Sequence, residues 1–383
     1  MQDLVSWRGC WMAKVKLKDI ASFSKGSQIN GDDLIENGNY DYLNGGINPS
    51  GKWNEYNVNA NSITISEGGN SCGYVNYMSS PFWCGAHCYY LFDVKCNVKY
   101  LYYALKSQQE RIMKLRSGAC MPNIKKNDIG NFEFEFDERT DIQLEIAATL
   151  DKVTALIDMH KRQLKLLEEL VKGRFVEMFG DPISNSMDWE CCELGACLES
   201  IDNGKSYVCD SDCRTGNNPA ILKLSAVTYG TYKPDENKAM IDEGLFDESA
   251  EVKDKDLLFT RKNTPELVGM SAYVFSTPPK LMMPDLIFRL NAKASCNKIY
   301  LWQLINHDLF RSCIQNIANG SAKSMSNISK ERLSKLTIPI PPLALQQQFA
   351  AFVTQTDKSK SSIQQSLAKL ETLKKSLMQE YFG

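Results

Sequence analysis

The residue sets in this chain whose types could do chemistry are each incomplete in their spacing. Gly204-Lys205-Ser206 resembles the end of a phosphate-binding loop, where glycine lets backbone amides near a nucleotide and lysine meets its phosphates. That motif needs a glycine five places before Gly204, and the chain has Glu199 there, whose carboxylate opposes phosphate. Pro234-Asp235 followed by Glu251-Val252-Lys253 has the order of a metal-dependent nuclease core, in which two carboxylates hold magnesium and lysine assists the attacking water. Matches this short arise often by chance. Cys209 with Cys213, and Cys84 with His87 and Cys88, lack the two spaced ligand pairs of a structural zinc site, and buried thiols explain them more simply. A glycine-rich turn for a methyl donor is missing, as is the Asn-Pro-Pro-aromatic stretch of an adenine methyltransferase. A magnesium-dependent endonuclease stays the best enzymatic reading, yet the residues favour binding over catalysis, with no catalytic residue, cofactor or metal expected in this chain.

Were the ligand a nucleic acid, the informative groups would be Lys, Arg, Gly, Ser and Asn gathered in loops, because phosphate contacts supply most affinity and base-edge contacts supply selectivity. Lys25-Gly26-Ser27 and Lys205-Ser206 occupy similar places after two similar stretches, residues 17–26 and 194–204. Asn44-Gly45-Gly46 offers an amide able to pair bidentately with adenine, although a hairpin turn would use the same residues. Lys114 and Arg116 ahead of Ser117-Gly118, Lys323 beside Gly320-Ser321, and Arg261 with Lys262 form a further layer of candidates. An ordinary solvated turn is the alternative for each loop.

The chain has 383 residues, enough for two ordinary domains, and its 43% hydrophobic and 23% charged content is that of a globular protein. A formal charge of −2 and a pI near 6.1 give no sign of a nucleic-acid binder, and any DNA-binding face must be a local basic patch offset elsewhere. Thirteen cysteines, an odd count, and the lack of a secretory leader at the start point to the cytoplasm. Charges interrupt every apolar stretch before the roughly 18 to 20 residues a membrane span needs.

The elements that must position these loops are written twice. Met178-Phe179-Gly180 matches Tyr381-Phe382-Gly383 at an offset of 203, which also pairs Leu164 with Leu367, Leu167 with Leu370, Leu170 with Leu373 and Ala147-Ala148 with Ala350-Ala351. Further back the offset becomes 204, pairing Asn123-Ile124 with Asn327-Ile328, Ile129 with Leu333, and Phe132, Phe134 and Phe136 with Leu336, Ile338 and Ile340. Between these segments, apart from the similar openings, the halves differ. A shared frame with divergent inserts suggests common mechanics and separate recognition.

Steps of four and three from Ile146 reach Leu150, Val153, Ile157, His160, Leu164, Leu167, Val171, Arg174 and Met178, and eight of these ten positions are apolar, the seam of a coiled coil. Asp141 can cap the start, and Gly180-Asp181-Pro182 stops the helix. About 38 residues make a rod of roughly 57 Å. The second copy gives Phe349, Val353, Thr356, Lys360, Ile363, Leu367, Leu370, Lys374, Leu377 and Tyr381, with Pro339, Pro341 and Pro342 ahead of it and polar Thr356 and Lys360 weakening one stretch. His160, opposite Ile363 in the repeat, reads as a packed or half-exposed seam residue. Antiparallel pairing of two such rods would place two domains at opposite ends under a pseudo-twofold axis.

With these features the chain resembles the specificity subunits of type I restriction-modification systems over essentially its whole length. The resemblance is carried by the run from Tyr42 through Asn44-Gly45-Gly46 to Gly51, by Ile63-Thr64-Ile65-Ser66-Glu67-Gly68-Gly69-Asn70-Ser71, and by Phe82-Trp83-Cys84-Gly85-Ala86-His87. In the second half it is carried by Leu257-Leu258-Phe259-Thr260-Arg261 and Glu266-Leu267-Val268-Gly269, similar to another variety of recognition domain. The Asn-Ile stretches, the alternating strands, and the Gln143 and Gln347 regions leading into long helices look like that family's two shared regions. One departure is the lead-in to the helices, Pro341-Pro342 in the second copy against Asp137-Glu138 in the first, which leaves the first domain's angle on its helix less constrained.

The resemblance implies an α+β chain with two strand-rich, mixed α/β target-recognition domains, residues 1–140 and 181–342. Two long antiparallel coiled-coil helices, residues 141–180 and 343–383, separate them. It further implies a non-catalytic subunit that reads an interrupted DNA site with one domain per half and docks two methyltransferase subunits and restriction/motor subunits. S-adenosylmethionine, ATP and magnesium would act in those partners. The competing class is a structural adaptor that binds no DNA.

Overall fold

Residues 12–118, 122–319 and 325–383 are described in the structure, a computed structural model. By its internal contacts the chain divides into two units, Met1–Arg162 with Gln364–Gly383, and Gln163–Ile363. Each unit includes half of each long helix.

In the first unit the strands are β1 (Met12–Lys16), β2 (Ser22–Lys25), β3 (Tyr40–Leu43), β4 (Gly51–Trp53), β5 (Ser62–Ser66), β6 (Val75–Met78), β7 (Phe82–Cys84), β8 (Cys88–Phe92) and β9 (Glu133–Asp137). They form an antiparallel sheet of order β2-β8-β5-β6, a second sheet β4-β3-β7 in which β3 and β7 are parallel, and the pair β1-β9. Phe132, Phe134 and Phe136 alternate with polar residues, so the two-residue period of a strand turns all three into the core. Ile63 and Ile65 of β5 are fully buried in the same core, with Leu101 and Leu105 of the helix Val98–Ser107. Burying each such side chain contributes roughly 1.5–3 kcal/mol.

The second unit contains β10 (Cys191–Glu193), β11 (Leu198–Asn203), β12 (Ala220–Leu222), β13 (Asn237–Ala239), β14 (Leu257–Thr260), β15 (Lys262–Asn263), β16 (Ser271–Tyr273), β17 (Leu281–Met282), β18 (Ile287–Ala292), β19 (Ser326–Asn327) and β20 (Thr337–Pro339). The orders β11-β18-β14-β16, β13-β12-β17 and β10-β20 repeat those of the first unit, including the parallel pair β12 and β17. The repeat therefore extends through the segments whose sequences differ.

The central helix (Thr140–Phe179) and the C-terminal helix (Leu343–Phe382) have 40 residues each, or about 60 Å at 1.5 Å per residue. Asp141 lies inside the first turn rather than at the cap, where its charge still suits the helix N-terminus. Gly180 takes a φ of 74° and its N–H bonds the Val176 carbonyl at 2.8 Å, ending the helix as a glycine can. Within the first unit Ile146, Leu150, Val153 and Ile157 are buried and Leu367, Leu370 and Leu377 half-buried. Within the second, Val171, Phe349 and Val353 are buried and Leu164, Leu167 and Ile363 half-buried. Thr356 is buried too, with its hydroxyl on the Phe352 carbonyl at 3.0 Å.

The seam departs from its expected register at one end. Phe175 and Phe179 are 1% and 3% exposed, while Arg174 and Met178 are only half-buried. A straight helix turns once in 3.6 residues, so a count of 3.5 drifts off the buried face, and steps of four from Val171 recover it. In each unit the helices run antiparallel. In the first, Lys161 meets Glu371 at 3.2 Å while Phe382 joins Ile146 and Leu150 in one core. In the second, Glu168 meets Lys360 at 3.6 Å, and Phe175 and Phe179 pack on Phe349 with ring centroids 5.6 and 5.3 Å apart. No helix among the described residues is long and apolar enough to cross a membrane.

Both helix starts are held by a buried glutamine. Gln143 accepts the Asn97 N–H at 3.0 Å and donates to the Asp137 carbonyl at 2.7 Å. Gln346 accepts the Asn297 N–H at 2.8 Å and donates to the Pro341 carbonyl at 2.7 Å. Gln346, fully buried, is thus the counterpart of Gln143, in place of the expected and exposed Gln347. The same clamp works with Asp-Glu in one lead-in and Pro-Pro in the other.

Candidate nucleic-acid interface

In the first unit β2 ends on Lys25, and the chain then turns at a glycine that leaves no room for a side chain. A Cβ on Gly26 would lie 1.8 Å from the Cys84 carbonyl oxygen. The Gly26 and Ser27 amides donate to the Gly85 and Cys84 carbonyls at 3.2 and 2.9 Å. Lys25 forms an ion pair with Glu67, the first residue after β5, and its Nζ stands 5.5 Å over the Tyr89 ring. The Glu67 side chain is 7% exposed, against 44% for Lys25 and 64% for His87, whose Nδ1 is 3.8 Å from the Glu67 carboxylate. The Tyr89 hydroxyl donates to that carboxylate at 3.4 Å. Burial and the Glu67 charge push the Tyr89 phenol up to about 12, so it remains a donor at neutral pH.

The loop after β3 joins this cluster. Asn44 accepts the His87 N–H at 3.2 Å, and the Gly45 carbonyl accepts the hydroxyls of Ser66 and, at 2.7 Å, Ser71. Asn44 therefore spends its carbonyl oxygen on the fold, while Gly46 is half-buried beside it. Ser117 and Asn123 exchange backbone hydrogen bonds at 2.9 and 3.0 Å, and Asn123 also bridges Gly68, which brings the loop after exposed Lys114 and Arg116 against the Glu67 turn. Lys25, Gly26, Ser27, Asn44, Gly45 and the loop of Arg116 are thus gathered. Glu67 and His87, named in the sequence only as part of longer runs, form the hub that joins them.

The second unit handles its corresponding loops differently. A Cβ on Gly204 would lie 2.1 Å from the Pro284 carbonyl oxygen, the same tight turn as at Gly26. Lys205 is ion-paired with Asp247, and Ser206 bonds Asp285. Hydrogen bonds from Lys205 and Ser249 hold the Asp247 carboxyl down at about 2. That loop thus balances its own charge. Arg261, the first residue after β14, directs Nε and Nη2 to the Asn327 Oδ1 at 3.3 and 3.2 Å, with its guanidinium 5.0 Å over the Phe288 ring. Lys262 pairs with Asn327 between β15 and β19. Lys323, Gly320 and Ser321 lie outside the described residues.

The residues of the nuclease-like order serve the fold. Glu251 accepts the Lys280 N–H at 2.7 Å, the Lys253 N–H bonds Asp256 at 2.9 Å, and the Asp235 carbonyl accepts from the Asn237 N–H at 3.0 Å. Among the described residues no three His, Cys, Asp or Glu side chains are grouped to hold a metal ion.

Two units on one topology, each with a charged residue directly after an inner strand, Glu67 after β5 and Arg261 after β14, and a glycine-tight turn directly after an edge strand, define an internally repeated α+β protein with a polar loop cluster in each half. Residues 11–169 and 187–372 match the type I restriction modification DNA specificity domain, and the chain belongs to that family. The specificity subunit of the Escherichia coli type I restriction enzyme EcoEI is 30% identical over 167 residues, 43% of this chain and 28% of that one. A Mycoplasma genitalium chain that bears the name of a type I specificity subunit is 33% identical over 159 residues, 39% of this chain and 41% of its own length. The matched stretches thus span less than half of these relatives. A crystal structure of a type I restriction-modification S subunit from M. genitalium has the same fold, with a TM-score of 0.73 and 18% identity over 99% of this chain and 98% of that one.

Proposed function

We propose that this chain is the DNA-recognition subunit of a type I restriction-modification complex, reading an interrupted duplex site with one unit per half. The observation that carries this reading is the loop cluster built twice on one topology with different side chains, Lys25, Glu67 and His87 in one unit and Arg261 and Lys262 in the other. A shared frame orients two readers, and unlike side chains let them prefer unlike bases. The long helices set the gap between the half-sites and carry the faces on which methyltransferase and restriction subunits dock. The chain itself performs no bond-making step, and S-adenosylmethionine, ATP and magnesium act in the partners.

Selection of the full chain, with its methyltransferase subunits, against a pool of randomised duplexes tests this. The expected result is a two-part motif with an unspecified centre and an affinity that falls steeply with salt, as phosphate contacts require. A structural adaptor would enrich no motif. Cleavage by the chain alone with magnesium would instead favour the nuclease.

A further inference from the structure

We infer that one backbone position, held by Glu67 in the first unit and Arg261 in the second, sets base preference in each half-site. In this assignment Arg261 contacts the edge of a guanine directly, while Glu67 is a positioning residue that aims Lys25 and His87. The inference rests on the DNA-reading function proposed above and deepens it.

The equivalence of the two residues is fixed by their backbone bonds. The Glu67 N–H bonds the His87 carbonyl at 2.9 Å, and the Arg261 N–H bonds the Leu286 carbonyl at 3.0 Å. The carbonyl of Glu67 accepts the Ile124 N–H at 2.9 Å, and that of Arg261 accepts the Ile328 N–H at 2.8 Å. One residue earlier, Ser66 exchanges bonds with Tyr74 and Gly73, as Thr260 does with Met270 and Gly269. The same four backbone bonds in each unit thus place opposite charges at one point of the same frame.

The neighbours have changed in a compensating way. In the sheet register Lys25 lies opposite Tyr89, and Asn203 lies opposite Phe288. Both units put a cation over that aromatic ring, Lys25 at 5.5 Å and Arg261 at 5.0 Å. In the first unit the cation comes from the end of β2 and is held by an acid at the shared position. In the second, the position that Lys25 fills is the neutral Asn203, and the cation comes from the shared position itself. His87 likewise gives way to Leu286, so no second imidazole donor stands there.

This arrangement separates two roles. Glu67, 7% exposed, is too deep to reach a base edge, whereas Lys25 and His87 are 44% and 64% exposed and carry the donors outward. A buried carboxylate that fixes a lysine head turns a flexible cation into a directed one. Arg261 needs no acid, because Asn327 holds one side of its planar fork and Phe288 supports its face. Lysine and arginine both suit the O6 and N7 acceptors of guanine in the major groove.

The test is selection of the full chain and its Arg261→Ala, Glu67→Gln, Lys25→Ala and Glu67→Gln/Lys25→Ala variants from randomised duplexes. Arg261→Ala should lose discrimination for guanine at one base pair of one half by roughly tenfold or more and leave the other half intact. Glu67→Gln and Lys25→Ala should each relax the other half at the same base pair, with the double variant no worse than Lys25→Ala alone. Thermal melting reports on folding. If Glu67→Gln melts early, Lys25→Ala, at an exposed position, carries the first-half prediction, with its melting checked in the same way. Uniform weakening across all sequences, or relaxation of the same half by Arg261→Ala and Lys25→Ala, overturns the inference while the two-part reading stands. A native chain that enriches no two-part motif overturns both.

Discussion

At Gly26 and Gly204 a single methyl group would collide with backbone, 1.8 Å from the Cys84 carbonyl oxygen in one unit and 2.1 Å from that of Pro284 in the other. Backbone cannot move aside as a flexible side chain can, so the loop or the adjoining strand must shift. Gly26→Ala is expected to destabilise the fold by about 1–3 kcal/mol, seen as a lower urea midpoint, and to weaken duplex binding because the Lys25 loop is displaced. An unchanged midpoint would mean that the turn is looser than its hydrogen bonds indicate. These two glycines were legible in the sequence from their place after similar openings. Their partners were not, since Gly26 meets Cys84, at the end of β7 and far along the chain, only in the folded unit. The same applies to Lys205, whose charge is offset by Asp247, 42 residues away.

Among the elements, the long helices could be read directly because their apolar period and the Gly180-Asp181-Pro182 stop are local signals. The shift of the seam to Phe175 and Phe179 could not, because a fixed heptad count ignores the drift of a straight helix. The strands between the repeated segments stayed hidden for another reason. A buried strand needs only a few apolar residues, Ile63 and Ile65 in β5 and Leu257, Leu258 and Phe259 in β14, so one topology tolerates very different loops. The glutamine clamps combine both scales. Gln143→Ala would leave the half-buried Asn97 N–H and the buried Asp137 carbonyl without their partner, and the expected loss is about 1–3 kcal/mol, read by chemical denaturation. Gln346→Ala should behave alike in the second unit, where Asn297 and Pro341 lose theirs. Equal stability of both variants with the native chain would show that the clamps are redundant.

For the whole molecule, a formal charge of −2 is compatible with DNA binding only if cations are concentrated locally within each unit, as Lys25 and Arg116 are in the first and Arg261 and Lys262 in the second in the proposed reading. If the helices act as a ruler, seven residues added to the central helix at Lys161 and seven to the C-terminal helix at its partner Glu371 keep the heptad register. They lengthen the pair by about 10 Å, or roughly three base pairs at 3.4 Å each. Selection should then return the same two half-sites with a wider gap, and a constant gap would contradict the ruler. The most direct measurement exchanges residues 1–140 for the same region of another member of the family and maps the selected sequence. The account predicts a change in one half-site with the other half and the gap kept; a change in both halves, or in neither, would contradict it.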